Sequence, residues 1–303
     1  MTYDLGVAIP TYNRSVLLDK LLSSIPANVP VSVSDNGSFT DVTIKQKFKN
    51  ADFISHSSVI DVFENWNVAA KNSNAKWLLI PSDDDLFYGD AFDTVRYYIT
   101  KYPNADMLIF GHELIDGDGN SREGWSPKQE IEYIAPTGFE IFKYGVDARM
   151  PSIVFKTSSL KRLNYFDEYY KLTSGDSDLI QRMLLTGTTV FIPKIISAYR
   201  VWEGALTSQK IATKLWLDEI LYWQLKILKL AKSQYEKANI SNLDYSHIKD
   251  EVYARNLIGG IKSKRSSEGI ISAMRFFQGN PFPWHANFRT KLQIVKKILI
   301  NEK

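Results

Sequence analysis

Apolar positions along the chain come in two rhythms. Residues 5–9 (LGVAI) form a short continuous apolar run that Pro10 closes, the pattern of a buried strand. Leu17, Leu18, Leu21, Leu22 and Ile25 then recur at helical spacing, which predicts an amphipathic helix. A second strand is expected over 29–33, ending in the turn sequence Asp35-Asn36-Gly37-Ser38. Strand, helix and strand in that order predict a parallel unit with a right-handed crossover. The pattern continues with a helix over 63–75, a third core strand at Trp77-Leu78-Leu79-Ile80, a helix over 91–102 and a fourth strand over 105–115. The sequence DGDGN (116–120) predicts a tight hairpin turn. Further on, a helix over 177–185 stops at Gly187, and Val190-Phe191-Ile192 reads as a strand.

The style changes after about residue 206. Trp216, Ile220, Trp223, Ile227 and Leu230 make the stripe of one long amphipathic helix, and the remainder of the chain is lysine-rich, poor in glycine and helical in pattern. The expected organisation is an α/β domain over 1–205 and a helical region over 206–303.

Composition narrows the picture. The chain has 303 residues, 44% hydrophobic and 13% aromatic, enough for a sizeable core. Its net charge of +3 comes from 37 basic and 34 acidic residues, too balanced for nucleic acid to be the expected partner. Cysteine is absent, which excludes a disulfide framework and a thiolate zinc site and fits a reducing cytoplasm. The first residues lack the basic and apolar regions of a secretory signal, and no run of about 18 apolar residues predicts a membrane span.

Polar clusters stand at three expected strand ends: Thr11-Tyr12-Asn13-Arg14, Asp35-Asn36-Gly37-Ser38 and Asp83-Asp84-Asp85. In an open parallel sheet, ligands bind outside such carboxyl ends. Each cluster alone also suits a turn or a helix cap. Three consecutive carboxylates go further, because they repel one another unless something positive stands among them.

The segments VAIPTYNR, VSVSDNGS and LIPSDDDLF, in this order, resemble the nucleotide-sugar glycosyltransferases of the GT-A fold, specifically the inverting family 2. The resemblance continues through TSGDSDLIQRMLLTGTTVFIPKIISAYRVWEGALTS and covers about residues 4–208. It implies a Rossmann-like, mostly parallel sheet flanked by helices. By the same resemblance Pro10, Thr11, Tyr12 and Arg14 wall the nucleobase, and Asp35, with Asn36 beside it, reads the uracil or ribose edge. Asp85 with Asp83 would hold Mn2+ or Mg2+, while Asp83 and Asp84 serve the ribose and support the metal. Such hard cations suit one or two carboxylates plus phosphate oxygens. Asp176 matches the general base that deprotonates the acceptor hydroxyl, and the alternative is a carboxylate that only stabilises a helix start. Asp178, two residues on, would point elsewhere on the helix but is kept, with Arg200 and Trp202, as a candidate acceptor or sugar contact.

The family often carries a metal-binding histidine two residues after the arginine of its "YR" pair. Here Tyr199-Arg200-Val201-Trp202 puts an indole there, which can only donate a hydrogen bond. Trp202 could stack on a sugar or pack in the core. His56 and His112 read as structural or solvent-exposed rather than as ligands, and Glu113 as either an acceptor contact or a surface carboxylate. Near the C-terminus, Phe288, Leu292, Val295 and Leu299 fall near one helical face among Arg289, Lys291, Lys296 and Lys297. That pattern suits a helix lying on a membrane, or one packed on the domain with a solvated lysine face.

The expected activity is metal-dependent, inverting transfer from a UDP-linked sugar to a glycan or lipid-linked glycan, in the cytoplasm or at the inner face of the cell membrane. Two alternatives stand beside it. A nucleotidyltransferase would need a glycine-rich phosphate loop, and IPTYNRS has no glycine. A non-catalytic sugar-binding protein of the same fold would fit the Trp202 departure.

Overall fold

A computed structural model describes residues 3–202, 210–241 and 243–300. The first half alternates strands and helices: β1 (Tyr3–Thr11), α1 (Ser15–Ser23), β2 (Val31–Asp35), α2 (Val42–Lys47), β3 (Ala51–Ser55), α3 (Val62–Asn72), β4 (Ala75–Leu79), β5 (Leu86–Phe87) and α4 (Ala91–Lys101). Then come β6 (Met107–Ile115), β7 (Ser121–Trp125), β8 (Ile131–Tyr133), α5 (Phe139–Phe142), β9 (Ile153–Lys156), α6 (Thr157–Arg162), α7 (Gly175–Thr186) and β10 (Thr189–Arg200). Four helices complete the chain: α8 (Lys214–Lys237), α9 (Tyr245–Glu268), α10 (Ile270–Gln278) and α11 (Phe288–Leu299).

The strands form one sheet in the order β3-β2-β1-β4-β9-β6-β10-β5, with β7 added to β6 and β8 to β10. β1 to β4 run parallel, and β10 runs parallel to β6. β9 is inserted antiparallel between β4 and β6. The carboxyl ends of β1, β2 and β4 therefore share one edge, where the polar clusters lie.

Several expectations shift. β1 does not stop before Pro10 but runs on to Thr11, pairing Pro10 with Ser34. The Val7 amide bonds β2, so the even-numbered positions of β1 face β4, and pairing with β4 ends at Val7. The missing N–H of Pro10 thus falls beyond the last bond on that side. The second strand is 31–35 rather than 29–33, which makes Asp35 its last residue. The unit α2–β3 has no counterpart in the expected pattern, so the Trp77 strand is fourth in the chain. β3 is a half-buried edge strand of five residues, too short and too weakly apolar to announce itself.

Alternation along β1 divides the core. Val7 and Ile9 face one apolar cluster with α1 and α4, and Ala8 faces the other. The second cluster joins Leu78 and Ile80 to Leu179, Ile180 and Met183 of α7, and to Trp216, Leu217, Ile220, Trp223 and Ile227 of α8. Each such fully buried side chain contributes roughly 1.5–3 kcal/mol. The expected boundary near residue 206 lies outside the described residues. α8 packs directly on α7, within the same apolar cluster as the sheet.

Candidate active site

Arg14 ties the first polar cluster to the third. Its guanidinium lies 3.0 Å from Asp83 and 3.2 Å from Asp84, across the strand ends. Asp83 also accepts the Thr11 hydroxyl at 2.8 Å and the Tyr12 N–H at 3.2 Å. Asp84 accepts the Trp202 indole N–H at 2.8 Å, and the Arg14 guanidinium sits over that indole at 5.3 Å. Asp85 accepts two backbone N–H groups, from Ser82 at 2.9 Å and Arg200 at 3.2 Å. The triplet is no helix cap: α4 starts at Ala91, preceded by Asp90.

All three aspartates are buried. Burial pushes the Asp83 carboxyl up to about 6, with Arg14 pulling against it and Asp84 adding to it. Asp85 is raised well above the ordinary carboxylate range by burial and then by the Asp84 charge. Burial and mutual repulsion thus make ionising the whole cluster costly, the kind of perturbation that marks a candidate site.

Tyr12 and Phe39 stand at the same edge, half exposed, with ring centroids 5.5 Å apart and edge to face. They give an open aromatic wall suited to a flat base. Asp35 is fully buried at the end of β2, held by Lys45 at 2.8 Å and by the Thr40 N–H. Asn36 is committed to the backbone: its amide donates to the Ile60 carbonyl and accepts the Ile60 N–H.

Asp176 lies in the first turn of α7, half-buried, its carboxylate accepting the Ser177 N–H at 2.7 Å. Tyr199 links it electrostatically to the triplet. Burial and the charges of Asp85 and Asp176 push the Tyr199 phenol up to about 12, while Arg149, 5.5 Å over its ring, pulls down. α7 starts at a left-handed Ser174, with φ of 67°. Gly175 comes next because a Cβ there would meet the Phe63 ring at 2.5 Å.

Other expected residues serve the framework instead. Asp178 faces the interior, fully buried, bound to Arg182 at 2.7 Å, Lys226 at 3.0 Å and the Tyr170 hydroxyl at 3.3 Å. Arg200 is buried and spends its guanidinium on the carbonyls of Asp84, at 2.8 Å, and Asp116, at 2.6 Å. It braces the site's backbone against the β6–β7 turn. Glu113 accepts the Tyr88 hydroxyl. His56 bonds Ser34 at 2.8 Å, and His112 is buried. Phe39 and Arg149 carry no signal of a site in the sequence, since only the fold brings them there, and Tyr199 is marked only as part of the "YR" pair.

The carboxylates suit a divalent cation in part. Asp83 and Asp85 supply buried carboxylate oxygens beside a third carboxylate, the chemistry Mn2+ or Mg2+ takes up. Among the described residues there is no group of three or more His, Asp or Glu arranged to enclose an ion, and Trp202 supplies no ligand. The donor set fits a cation that shares its shell with a diphosphate.

No family model matches the chain. It is 25% identical over 211 residues to the GalNAc(5)-diNAcBac-PP-undecaprenol beta-1,3-glucosyltransferase of Campylobacter jejuni, covering 66% of this chain and 65% of that protein. It is 28% identical over 109 residues to an uncharacterized glycosyltransferase of Haemophilus influenzae, covering 34% of this chain and 37% of the relative. The matches thus span less than two thirds of these relatives' own length. Among solved structures, Staphylococcus aureus TarS 1–349 in complex with UDP-GlcNAc superposes with a TM-score of 0.66 at 18% identity, covering 98% of this chain and 88% of that one. The mannosyltransferase PcManGT from Pyrobaculum calidifontis, in complex with GDP-Man and Mn2+, superposes with a TM-score of 0.52 at 13% identity, covering 99% and 87%.

The chain has the GT-A glycosyltransferase fold, a mixed α/β sheet flanked by helices, with further helices at its C-terminal end. The curated proteins it resembles are named as glycosyltransferases.

Proposed function

We propose that the chain transfers a sugar from a nucleotide sugar, UDP-linked, to a hydroxyl of a glycan or lipid-linked glycan, by the inverting chemistry of family 2. One observation carries this reading: Thr11, Tyr12 and Arg14 at the end of β1 are hydrogen-bonded to the buried Asp83-Asp84 pair beyond β4. The UDP-GlcNAc of the TarS complex and the undecaprenol-linked substrate in the Campylobacter relative's name support the choice of donor and acceptor.

The residues divide the work between donor and acceptor. Tyr12 and Phe39 flank the base, and Asp35 lies at the next strand end for its polar edge. Asp85 and Asp83 would hold Mn2+ or Mg2+, which when bound neutralises charge on the departing diphosphate. Asp176 takes the proton of the acceptor hydroxyl, making it a competent nucleophile. Attack from the face opposite the departing diphosphate inverts the anomeric centre. Tyr199, with Arg149 over its ring, feels the charges of both Asp85 and Asp176.

A second reading has its own observation. Arg14 and Trp202 already partner the Asp83-Asp84 pair, as a non-catalytic sugar-binding protein would allow. Incubation with a panel of UDP- and GDP-sugars, with Mn2+ and then with chelator, separates the two. Release of free nucleoside diphosphate that chelator suppresses supports the enzyme. Binding without release from any sugar of the panel supports the binding protein.

The membrane belongs to the same proposal. Of the two apolar stripes of α11, Ile294 and Ile298 pack inward, while Phe288, Leu292, Val295 and Leu299 are 75%, 52%, 53% and 61% exposed. Trp284, just before, is 73% exposed. Residues 281–300 carry Arg289, Lys291, Lys296 and Lys297 and no acidic residue. An exposed apolar stripe edged by cations matches an anionic lipid surface, at the inner face of the cell membrane. No helix among the described residues is long and apolar enough to cross a membrane.

A further inference from the structure

The segment leading into Asp176 is held by a residue from the C-terminal helices. Residues 171–174 have no regular hydrogen-bonding pattern of their own, so their amides need partners from elsewhere. Glu219, buried in α8, supplies them. Its carboxylate accepts three successive N–H groups: Lys171 at 2.7 Å, Leu172 at 3.1 Å and Thr173 at 2.8 Å. Successive amides turned to one side make a concavity for an anion, and here the anion belongs to the protein. Charge-assisted bonds of this kind are about twice as strong as neutral ones.

The rest of that face of α8 holds the chain on either side of the segment. Trp223 donates to Gln181 of α7 at 3.0 Å, and Lys226 reaches Asp178 and Asp167 at 3.0 and 2.7 Å. Positions 219, 223 and 226 are one turn apart on α8 and lie on one face. Immediately after the Glu219 anchor the chain takes its left-handed turn at Ser174, passes Gly175 against Phe63, and presents Asp176. Without the anchor, three successive amides just before Asp176 would lose their acceptor.

We infer that Glu219 is a positioning residue for the transfer reaction: it fixes residues 171–173 and through them the aim of Asp176. This rests on the reading of Asp176 as the general base, while the anchor itself can be measured without any activity.

Hydrogen exchange on the full-length chain and its Glu219→Ala variant tests the anchor. Exchange at the amides of residues 171–173 is expected to rise about tenfold or more, with protection in β1 and β4 unchanged. Turnover of UDP-GlcNAc should then lose about tenfold in kcat with donor KM unchanged, because a base displaced by even about 1 Å loses its effect while the donor contacts remain. Glu219→Gln, which keeps one accepting oxygen, should fall between the two and also serves if the alanine variant does not fold. Wild-type exchange at 171–173 in both variants overturns the inference. So does faster exchange with wild-type kcat, or a parallel loss of kcat and donor affinity. A wild-type chain that turns over no sugar sinks the enzyme reading, and exchange still decides the anchor.

Discussion

The indole N–H of Trp202 donates to the Asp84 carboxylate at 2.8 Å, at the position where the resembling family often carries a metal-binding histidine. The interaction ties the chain after β10 to the acidic triplet and occupies one of its oxygens. Trp202→Phe removes the donor and leaves a buried carboxylate one bond short, which should lower stability by about 1.5 kcal/mol in denaturant titrations. Trp202→His should instead place an imidazole beside Asp84 and tighten Mn2+ binding in the presence of UDP by about tenfold, read by calorimetry. Unchanged Mn2+ affinity in the histidine variant would show that position 202 does not border the ion.

Asp176 and Asp178 lie two residues apart on α7 and should behave as opposites. Asp178 is fully buried and neutralises Arg182, sharing Lys226 with Asp167, so Asp178→Ala leaves the buried Arg182 without its carboxylate. The expected loss is about 3 kcal/mol, with activity falling only as folded protein is lost. Asp176 is half-buried and, among the described residues, bonds only within its own turn, so Asp176→Asn should leave the melting temperature within about 2 °C of wild type. Equal destabilisation by both changes would put the two residues in one structural role.

His112 gives the fold an acid limit. Burial and the nearby Arg149 charge hold its imidazole down to about 4, so it is neutral in the folded chain at neutral pH. The unfolded chain takes up this proton near pH 6.5, before the folded one does. The contribution is therefore complete above about pH 6.5 and lost as pH falls towards 4, worth roughly 2 to 3 kcal/mol at most. The His112→Phe variant, placing a ring beside Trp125 and Tyr199, should flatten the stability profile between pH 6.5 and 4. An equally steep decline in the variant would assign the acid limit to other groups.

The exposed stripe of α11 predicts vesicle binding that depends on both apolar area and charge. Wild type should sediment with vesicles containing phosphatidylglycerol and be released by salt. Leu292→Glu with Val295→Glu, both at exposed positions, should lower that binding about tenfold or more without unfolding the chain. Equal binding by the variant, or a stripe covered by a second copy in sedimentation analysis, would contradict the membrane contact.

The parts of this design that repeat along the chain are readable in the sequence. Leu18, Leu21 and Leu22 announce α1, the run 77–80 announces β4, and DGDGN marks the β6–β7 turn, because period and turn chemistry are local properties. The three polar clusters are readable as strand ends, but not the bond network that unites them. Arg14 can be named from the sequence without showing that it binds both Asp83 and Asp84. β3 and β9 escape the pattern because one is a short edge and the other an antiparallel insertion into a parallel arrangement. Glu219 leaves no local signal, since its partners lie 46 to 48 residues away and are backbone amides. In α11 the residue pattern holds two apolar stripes, and only packing on α9 shows which one is free.

The most direct test of the proposed activity is transfer chemistry at Asp176. Wild type and Asp176→Asn are incubated with UDP-GlcNAc and the other UDP-sugars of the panel, with Mn2+ and with water as the acceptor hydroxyl, and UDP release is followed alongside UDP affinity by calorimetry. The predicted result is chelator-sensitive release by wild type, a fall of about 100-fold or more in the variant and UDP affinity within about twofold of wild type. Release by Asp176→Asn at the wild-type rate would contradict it.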